Sequence, residues 1–282
     1  MPELPEVATV VSQLGDALVA RQIVSVWSEW PKALHPTEAL FSERVVGAHI
    51  IKTRRYGKHI VIDLNNHISI VIHLKMTGHL LIKNDENRNN EAFKDPFNQF
   101  IHHRIDFEDG TTLEFSDMRK FGWMEALETV HVEHISSIAS LGIDALSPAL
   151  TAKVFRALLD AKPHTKIGEF LLKQDIIAGI GNIYRSEALF QAKIAPKRLA
   201  GSLSGIESAR LVRCIKKVLQ EALSLGGMSD GDFRDTNGEA GRFQKILGVY
   251  GRHGKPCPKC ATIIQRIKIG QRSAFVCVKC QH

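Results

Sequence analysis

No stretch of this 282-residue chain is apolar for anything near the roughly 20 residues that a bilayer-spanning helix needs. Its first 20 residues carry acids where a secretory leader would begin with cations. A soluble intracellular protein is the expectation. Cysteine is scarce and clustered: of five, Cys214 stands alone in a helical pattern and the other four fall between positions 257 and 280. That distribution argues against a disulfide framework and for a metal site plus one core thiol. No internal repeat or low-complexity tract occurs. Acid is missing from one region in particular, since residues 245–282 hold Lys245, Arg252, Lys255, Lys259, Arg266, Lys268, Arg272 and Lys279 but no Asp or Glu. With a net charge of +7 for the whole chain, the partner is expected to be a polyanion, and composition alone leaves nucleic acid and an anionic membrane both open.

What is present falls into two halves, as the length suggests. Behind MPELPEV, the residues Val7, Val10, Val11, Leu14 and Leu18 recur at helical spacing, and Glu3 and Glu6 sit where a helix start favours negative charge. An amphipathic helix is expected over residues 5–20. Short runs rich in branched residues follow: QIVSVW, VVGAHIIK, HIVIDL, ISIVIHL, HRIDF and TTLEF, the last two joined by Asp109-Gly110 as a hairpin turn. This half reads as a β sandwich. Residues 84–99 show no periodicity and are expected to be a long mobile loop. From about residue 130 the pattern turns helical, through TAKVFRALLDA, IGEFLLKQD, IYRSEALFQA and IESARLVRCIKKVLQEALS, and the Gly- and Asp-rich GGMSDGDFRDTNGEAGRFQ then reads as a loop. The expected domains are 1–130, 131–244 and 245–282.

Cys257-x2-Cys260, sixteen residues, then Cys277-x2-Cys280 is the spacing of a four-thiolate zinc site. The intervening ATIIQRIKIGQRSAFV reads as two short strands around Gly270, a β-hairpin finger. A zinc staple alone would not require so many cations, so phosphate binding is the better reading of the module.

The opening PELPEV, HLKMTGHL at 73–80, DMRKFGW at 117–123, LLKQDIIAGIGNIYRSEALF and VYGRHGKPCPKC leading into the finger resemble, in order, the bacterial formamidopyrimidine-DNA glycosylase family. The resemblance covers nearly the whole chain. It implies an α+β protein, with an N-terminal β-sandwich flanked by the N-terminal helix, a helix-two-turn-helix domain and a zinc β-hairpin finger. It also implies base-excision repair: removal of oxidised purines (8-oxoguanine and formamidopyrimidines) from damaged double-stranded DNA, followed by strand cleavage, with one structural Zn2+. Residue by residue, it makes Pro2 the nucleophile once Met1 is removed, a role that suits an α-amino group with its pKa near 7.7–8.0. Glu3 becomes the general acid and Glu6 a supporting carboxylate, while plain helix-start chemistry would also account for both. Lys58 becomes a phosphate contact that assists elimination. Met76, Arg119 and Phe121 become the group that fills the duplex where a nucleotide has rotated out. Asn182, at the start of its helix, and Arg272, in the finger turn, become phosphate ligands, Arg272 also a catalytic residue in the second elimination, with His102 and Lys166 as further DNA contacts.

The chain departs from the family pattern at Ala8, Phe100, Pro163 and Lys173, which touches DNA contacts and lesion preference more than the amine. The alternatives are an endonuclease VIII-like enzyme for oxidised pyrimidines and a zinc-finger DNA-binding protein without catalysis. The expected setting is a monomer in the bacterial cytoplasm, bound to the nucleoid and not to a membrane.

Overall fold

The computed structural model describes residues 1–229, 231 and 233–282; Asp230 and Asp232, within the expected Gly- and Asp-rich loop, lie outside the described residues. The chain forms two compact units, Met1–Ala139 with Leu223–Gln244, and Ser140–Ala222 with Lys245–His282.

The first unit opens with α1 (Leu4–Leu18), which carries a proline in its first turn, where a missing N–H costs nothing. Val7, Val10, Leu14 and Leu18 are buried along one face, each contributing roughly 1.5–3 kcal/mol by leaving water. Next come β1 (Ile23–Ser28), β2 (Leu34–His35) and α2 (Glu38–Val45), the last capped by the Thr37 hydroxyl, which accepts from the Leu40 N–H. VVGAHIIK, expected as one extended run, is divided: Val45 ends α2, Gly47 turns at φ +84°, and β3 (Ile50–Tyr56) begins three residues later. A positive φ is open to glycine at no steric cost, so Gly47 is where the run breaks.

The strands β4 (His59–Leu64), β5 (Ile68–His73), β6 (Gly78–Lys83), β7 (Ile101–Phe107), β8 (Thr112–Asp117) and β9 (Trp123–Glu128) complete two sheets, of order β2-β9-β5-β4-β3 and β1-β7-β8-β6. Ile60, Ile62, Ile70 and Ile72 of the first sheet share one core with Leu80, Ile105, Leu113 and Phe115 of the second and with the apolar face of α1. The sandwich and its flanking helix are therefore as expected. HIVIDL lacks an exposed face because β4 is covered twice: Val61 and Val71 pack on the other side against Val132 and Ile138, the latter in the short α3 (Ser136–Ala139).

Residues 84–99 are not structureless. Two 3-10 turns, Glu91–Lys94 and Pro96–Gln99, are capped by the side chains of Asn90 and Asp95. Such turns rest on side-chain acceptors and leave no apolar period to read. Segment 223–244, whose first two residues end the last long helix, belongs with the sandwich: Gln13 accepts from the Thr236 N–H at 3.1 Å, and Asn98 donates to the Gly238 carbonyl at 3.1 Å.

In the second unit β10 (Ile143–Asp144) is followed by α4 (Ala152–Ala161), α5 (Ile167–Phe170), β11 (Ile177–Ala178), α6 (Asn182–Gln191), α7 (Gly205–Ser224), β12 (Gln265–Ile269) and β13 (Arg272–Val276). The last two pair as the expected hairpin, with Gly270 at φ +56°. IGEFLLKQD was expected to be helical throughout and supplies only the single turn α5. The Gln174 amide diverts it, donating to the carbonyls of Leu172 (3.1 Å) and Ile180 (2.8 Å) and accepting from the Gly179 N–H (2.9 Å).

Candidate active site and nucleic-acid interface

The amino-terminal turn is built around two buried carboxylates. Met1 is exposed and Pro2 is buried. Glu3 is 2% exposed and Glu6 1% exposed. They form a reciprocal box in which the Glu3 N–H donates to Glu6 Oε2 at 2.7 Å and the Glu3 side chain accepts from the Glu6 N–H. Glu6 also accepts from the Met228 N–H through Oε1 at 2.7 Å. A capping role is thus present for both acids, yet a cap does not require burial. Glu6 links the start of α1 to the 223–244 segment. Gly227, at φ +72° to +79° together with its neighbour Gly226, passes so close that a Cβ on it would lie 2.7 Å from Glu6 Oε1.

Met76, Arg119 and Phe121 are brought together by Asp117, a residue that motif reading passed over. Its Oδ1 accepts from the Thr77 hydroxyl and from the Arg119 N–H (3.1 Å), and its Oδ2 accepts from the N–H groups of Phe121 (2.8 Å) and Gly122 (2.7 Å). The Thr77 hydroxyl in turn accepts from the Arg119 N–H at 3.1 Å, which ties the 118–122 turn to the turn that carries Met76. Gly122 permits this fold, since a Cβ there would meet the Phe115 ring at 2.3 Å. Phe121 stands 53% exposed with the Arg119 guanidinium 4.7 Å from its ring centre, while Met76 is half-buried. An aromatic ring is thus held out toward solvent under a cation, on a turn anchored by a buried carboxylate.

His102 lies behind this turn. Its Nδ1 pairs with Glu29 and its Nε2 with the Asp117 carbonyl (3.0 Å), so both ring nitrogens are engaged within the protein. Phe100, one of the departures, is 37% exposed and gives its carbonyl to the Asp117 N–H at 2.9 Å.

Lys58 occupies the Gly57-Lys58 turn between β3 and β4 and is only 7% exposed. Beside it stands a group that sequence reasoning missed: His59 and His73 meet edge to face at 4.7 Å, and Trp123 stacks on His73 at 6.1 Å. Burial holds His59 down to about 4; burial, His59 and the ammonium groups of Lys75 and Lys58 hold His73 down to about 3. Both rings are neutral at pH 7. His73 Nδ1 accepts from the Lys75 N–H at 2.9 Å, which leaves the proton on Nε2.

In the second unit Asn182 is the first residue of α6, with Gly181 in the cap position. Its Oδ1 accepts from Arg185 Nη2 at 2.6 Å. Arg185 is fully buried and also donates to the carbonyls of Gly168 (3.2 Å) and Ser273 (2.7 Å), so a single guanidinium fixes α5, the start of α6 and the finger strand β13. Two residues on, Glu187 accepts the N–H groups of Gly248 (2.8 Å), Val249 (2.9 Å) and Tyr250 (2.7 Å), while burial pushes its carboxyl up. These two buried charges weld the finger to the helices. Lys166 is exposed before α5, and Arg272 is exposed at the head of β13, beside the Gly270 turn.

The ligand atoms of Cys257, Cys260, Cys277 and Cys280 all lie within 4.8 Å of one another, with Sγ pairs at 3.4 and 3.9 Å. Tetrahedral zinc with Zn–S near 2.3 Å requires sulfurs about 3.8 Å apart, so the set fits. Phe190, Val249, Ile264 and Phe275 pack around the knuckles. The finger holds one structural zinc. Among the described residues no helix is long and apolar enough to cross a membrane.

A zinc-bearing basic finger fixed to a helical unit, with a sandwich that buries two acids at its first helix and exposes a cation-capped aromatic ring, marks a class: zinc-finger enzymes of DNA repair. Three family models match the chain, the formamidopyrimidine-DNA glycosylase N-terminal domain over residues 1–124, the H2TH domain of the same enzymes over 141–233, and the zinc finger found in FPG and IleRS over 254–282. The formamidopyrimidine-DNA glycosylase of Pelotomaculum thermopropionicum is 38% identical over 282 residues, spanning 100% of this chain and 99% of the relative. That of Cereibacter sphaeroides strain KD131 is 39% identical over 285 residues, spanning 100% of both. Among solved structures, Lactococcus lactis Fpg with abasic-site DNA superposes with a TM-score of 0.88 at 30% identity, and Thermus thermophilus MutM (Fpg) with 0.86 at 32%; the two alignments cover 99% of this chain and 99% and 98% of those chains. The chain belongs to the formamidopyrimidine-DNA glycosylase family.

Proposed function

We propose that this chain is a bifunctional DNA glycosylase and lyase that removes oxidised purines from duplex DNA through the secondary amine of Pro2. Loss of the exposed Met1 frees that amine. It attacks the sugar C1′ as the C1′–N9 bond breaks and the base leaves; the amine then sheds its proton and the C1′–O4′ bond opens, O4′ taking a proton from Glu3, so that C1′ and the nitrogen become a cationic iminium. The iminium acidifies C2′–H; loss of that proton expels the 3′ phosphate, a second elimination expels the 5′ phosphate, and water releases the amine. The observation that carries this reading is the burial of Glu3 and Glu6 beside Pro2 in a chain matched along its length by one enzyme family.

The other roles follow the local geometry. Glu6 holds the turn and the 227–228 segment in register. Lys58 offers a cation to phosphate beside two rings that stay uncharged. Met76, Arg119 and Phe121 fill the stack, and His102 stiffens the turn that carries the last two. Asn182, Lys166 and Arg272 bind backbone phosphates, and the setting is the bacterial cytoplasm, on the nucleoid.

The test is borohydride trapping on duplexes with 8-oxoguanine opposite each base, with a thymine glycol duplex in parallel. Protein lacking Met1 is expected to form a covalent adduct, strongest on the purine lesion, and Pro2→Gly to lose most of it. Equal trapping by protein that retains Met1 refutes the amine assignment. A stronger adduct on thymine glycol moves the chain to oxidised pyrimidines, and binding without any adduct leaves a non-catalytic finger protein.

A further inference from the structure

The turn at 118–122 is held from two sides. Asp117 gathers its N–H groups from below, as described above. On the other side the middle residue, Lys120, reaches toward Glu29 and Trp30 while Arg119 lies over Phe121. Its backbone takes φ +54°, a conformation an L side chain rarely adopts without external support. The support is visible. The Lys120 ammonium lies 4.8 Å from the Trp30 ring centre and 3.4 Å from Glu29 Oε1.

That corner is itself rigidly placed. The Glu29 N–H donates to the His102 carbonyl at 3.0 Å, Glu29 pairs with the His102 ring, and the Trp30 N–H donates to Ser28 Oγ, which bonds His103 Nδ1 at 2.9 Å. His102, then Lys120, draw the Glu29 carboxyl below its ordinary range and keep it an anion. Lys32 approaches the same indole at 5.7 Å, so two ammonium groups lie within cation–π range of one ring.

We infer that Glu29 and Trp30 form a platform that positions Lys120, and through it sets how Arg119 and Phe121 are presented to the duplex. Discrimination between bases opposite the lesion then depends on an indole outside the wedge turn. This rests on the wedge reading of Arg119 and Phe121. Trp30 is a positioning residue: it acts through Lys120, while the chemistry stays with the amine. Removing it lets the turn relax from its strained middle residue and shifts the guanidinium that faces the orphaned base, whereas cleavage at a site already lacking its base needs the wedge less.

The experiment is single-turnover cleavage by the full-length, zinc-loaded protein on 8-oxoguanine opposite cytosine or adenine and on an abasic duplex. Trp30→Ala and Lys120→Met are expected each to reduce excision opposite cytosine about three- to tenfold and to narrow the cytosine-over-adenine ratio by a similar factor, with abasic cleavage changed by less than about twofold. Trp30→Phe keeps a ring and should restore the ratio, and the double variant should be no worse than either single one, since both remove the same contact. Additive losses, no rescue by phenylalanine, or equal losses on all three duplexes overturn the platform. Wild-type protein that excises nothing overturns the glycosylase reading and the platform with it, an outcome distinct from normal wild-type excision with unaltered variants.

Discussion

Lowering the pH from 7.5 to 5 should weaken the first unit, where burial holds down His59 and His73 and, elsewhere in the same unit, His79 and His103; the His59–His73 pair alone gives a share that can be worked out. Both rings have their proton affinity reduced by folding, to about 4 and about 3 from an ordinary 6.5. The unfolded chain therefore binds more protons than the folded one between about 6.5 and the folded values. Stability falls with pH there, and is fully retained only above the unfolded value. At pH 5 the unfolded rings are 1.5 units below their own pKa while the folded rings are still largely neutral. At about 1.36 kcal/mol per unit, each ring withdraws about 2 kcal/mol, whatever the folded value is so long as it stays well below 5. Together they account for about 4 kcal/mol, a large part of the 5–15 kcal/mol that holds a domain.

His59→Phe isolates one of the two, because it keeps an aromatic ring in a site 5% exposed and removes the titrating nitrogens. The difference in unfolding free energy between pH 7.5 and pH 5 should shrink by about 2 kcal/mol in the variant, or about 1 M in urea midpoint for a slope of about 2 kcal/mol/M. Ring carbon shifts by NMR give the independent reading. Parallel pH profiles for the two proteins, or a His59 ring that titrates between 6 and 7, would refute the reasoning.

Chelation of the zinc should abolish DNA binding while the sandwich stays folded, because the thiolates lie wholly in the second unit; metal analysis at other than one zinc per chain, or normal binding by metal-free protein, contradicts it. Arg272→Ala should weaken damaged and undamaged duplex alike and flatten the log-log salt slope by about 0.9, one phosphate's worth; a loss confined to one lesion would make Arg272 a base reader. Phe121→Ala and Arg119→Ala should impair excision of 8-oxoguanine far more than cleavage at an abasic site, since only the former requires a base to be unstacked at a few kcal/mol. Equal fractional losses on both duplexes in single-turnover assays would return the two residues to general binding.

The residues that were legible in the sequence are those whose constraint is local. Cys257, Cys260, Cys277 and Cys280 are set by the bite of two knuckles on one ion, so their spacing alone predicts the cluster now found. The apolar face of α1 and the alternation of the strands are local in the same sense. Asp117, Arg185, Glu187 and the His59–His73 pair were not legible, because each acquires its meaning from partners distant in sequence. Asp117 reads as one more polar residue at a strand end until Thr77, forty residues earlier, bonds to it. Arg185 reads as one face of an amphipathic helix until the Ser273 carbonyl closes over it.

Glu6 shows the limit most clearly. Its position three residues after Glu3 identifies a capping box, and that box exists. A box on a surface helix leaves its outer oxygen to water. Here that oxygen takes the Met228 N–H, 222 residues away, at a point where Gly227 leaves no room for a side chain. The segment from 223 to 244 is therefore joined to the sandwich through the same carboxylate that fixes the N–H of Glu3. Any displacement of that segment must move Glu6 or leave a buried carboxylate oxygen without its donor, at a cost of about 1–3 kcal/mol or more. The start of α1 and the 227–228 backbone are thus mechanically one element, and Glu6, which looked like an accessory to its neighbour, is the residue that makes them so.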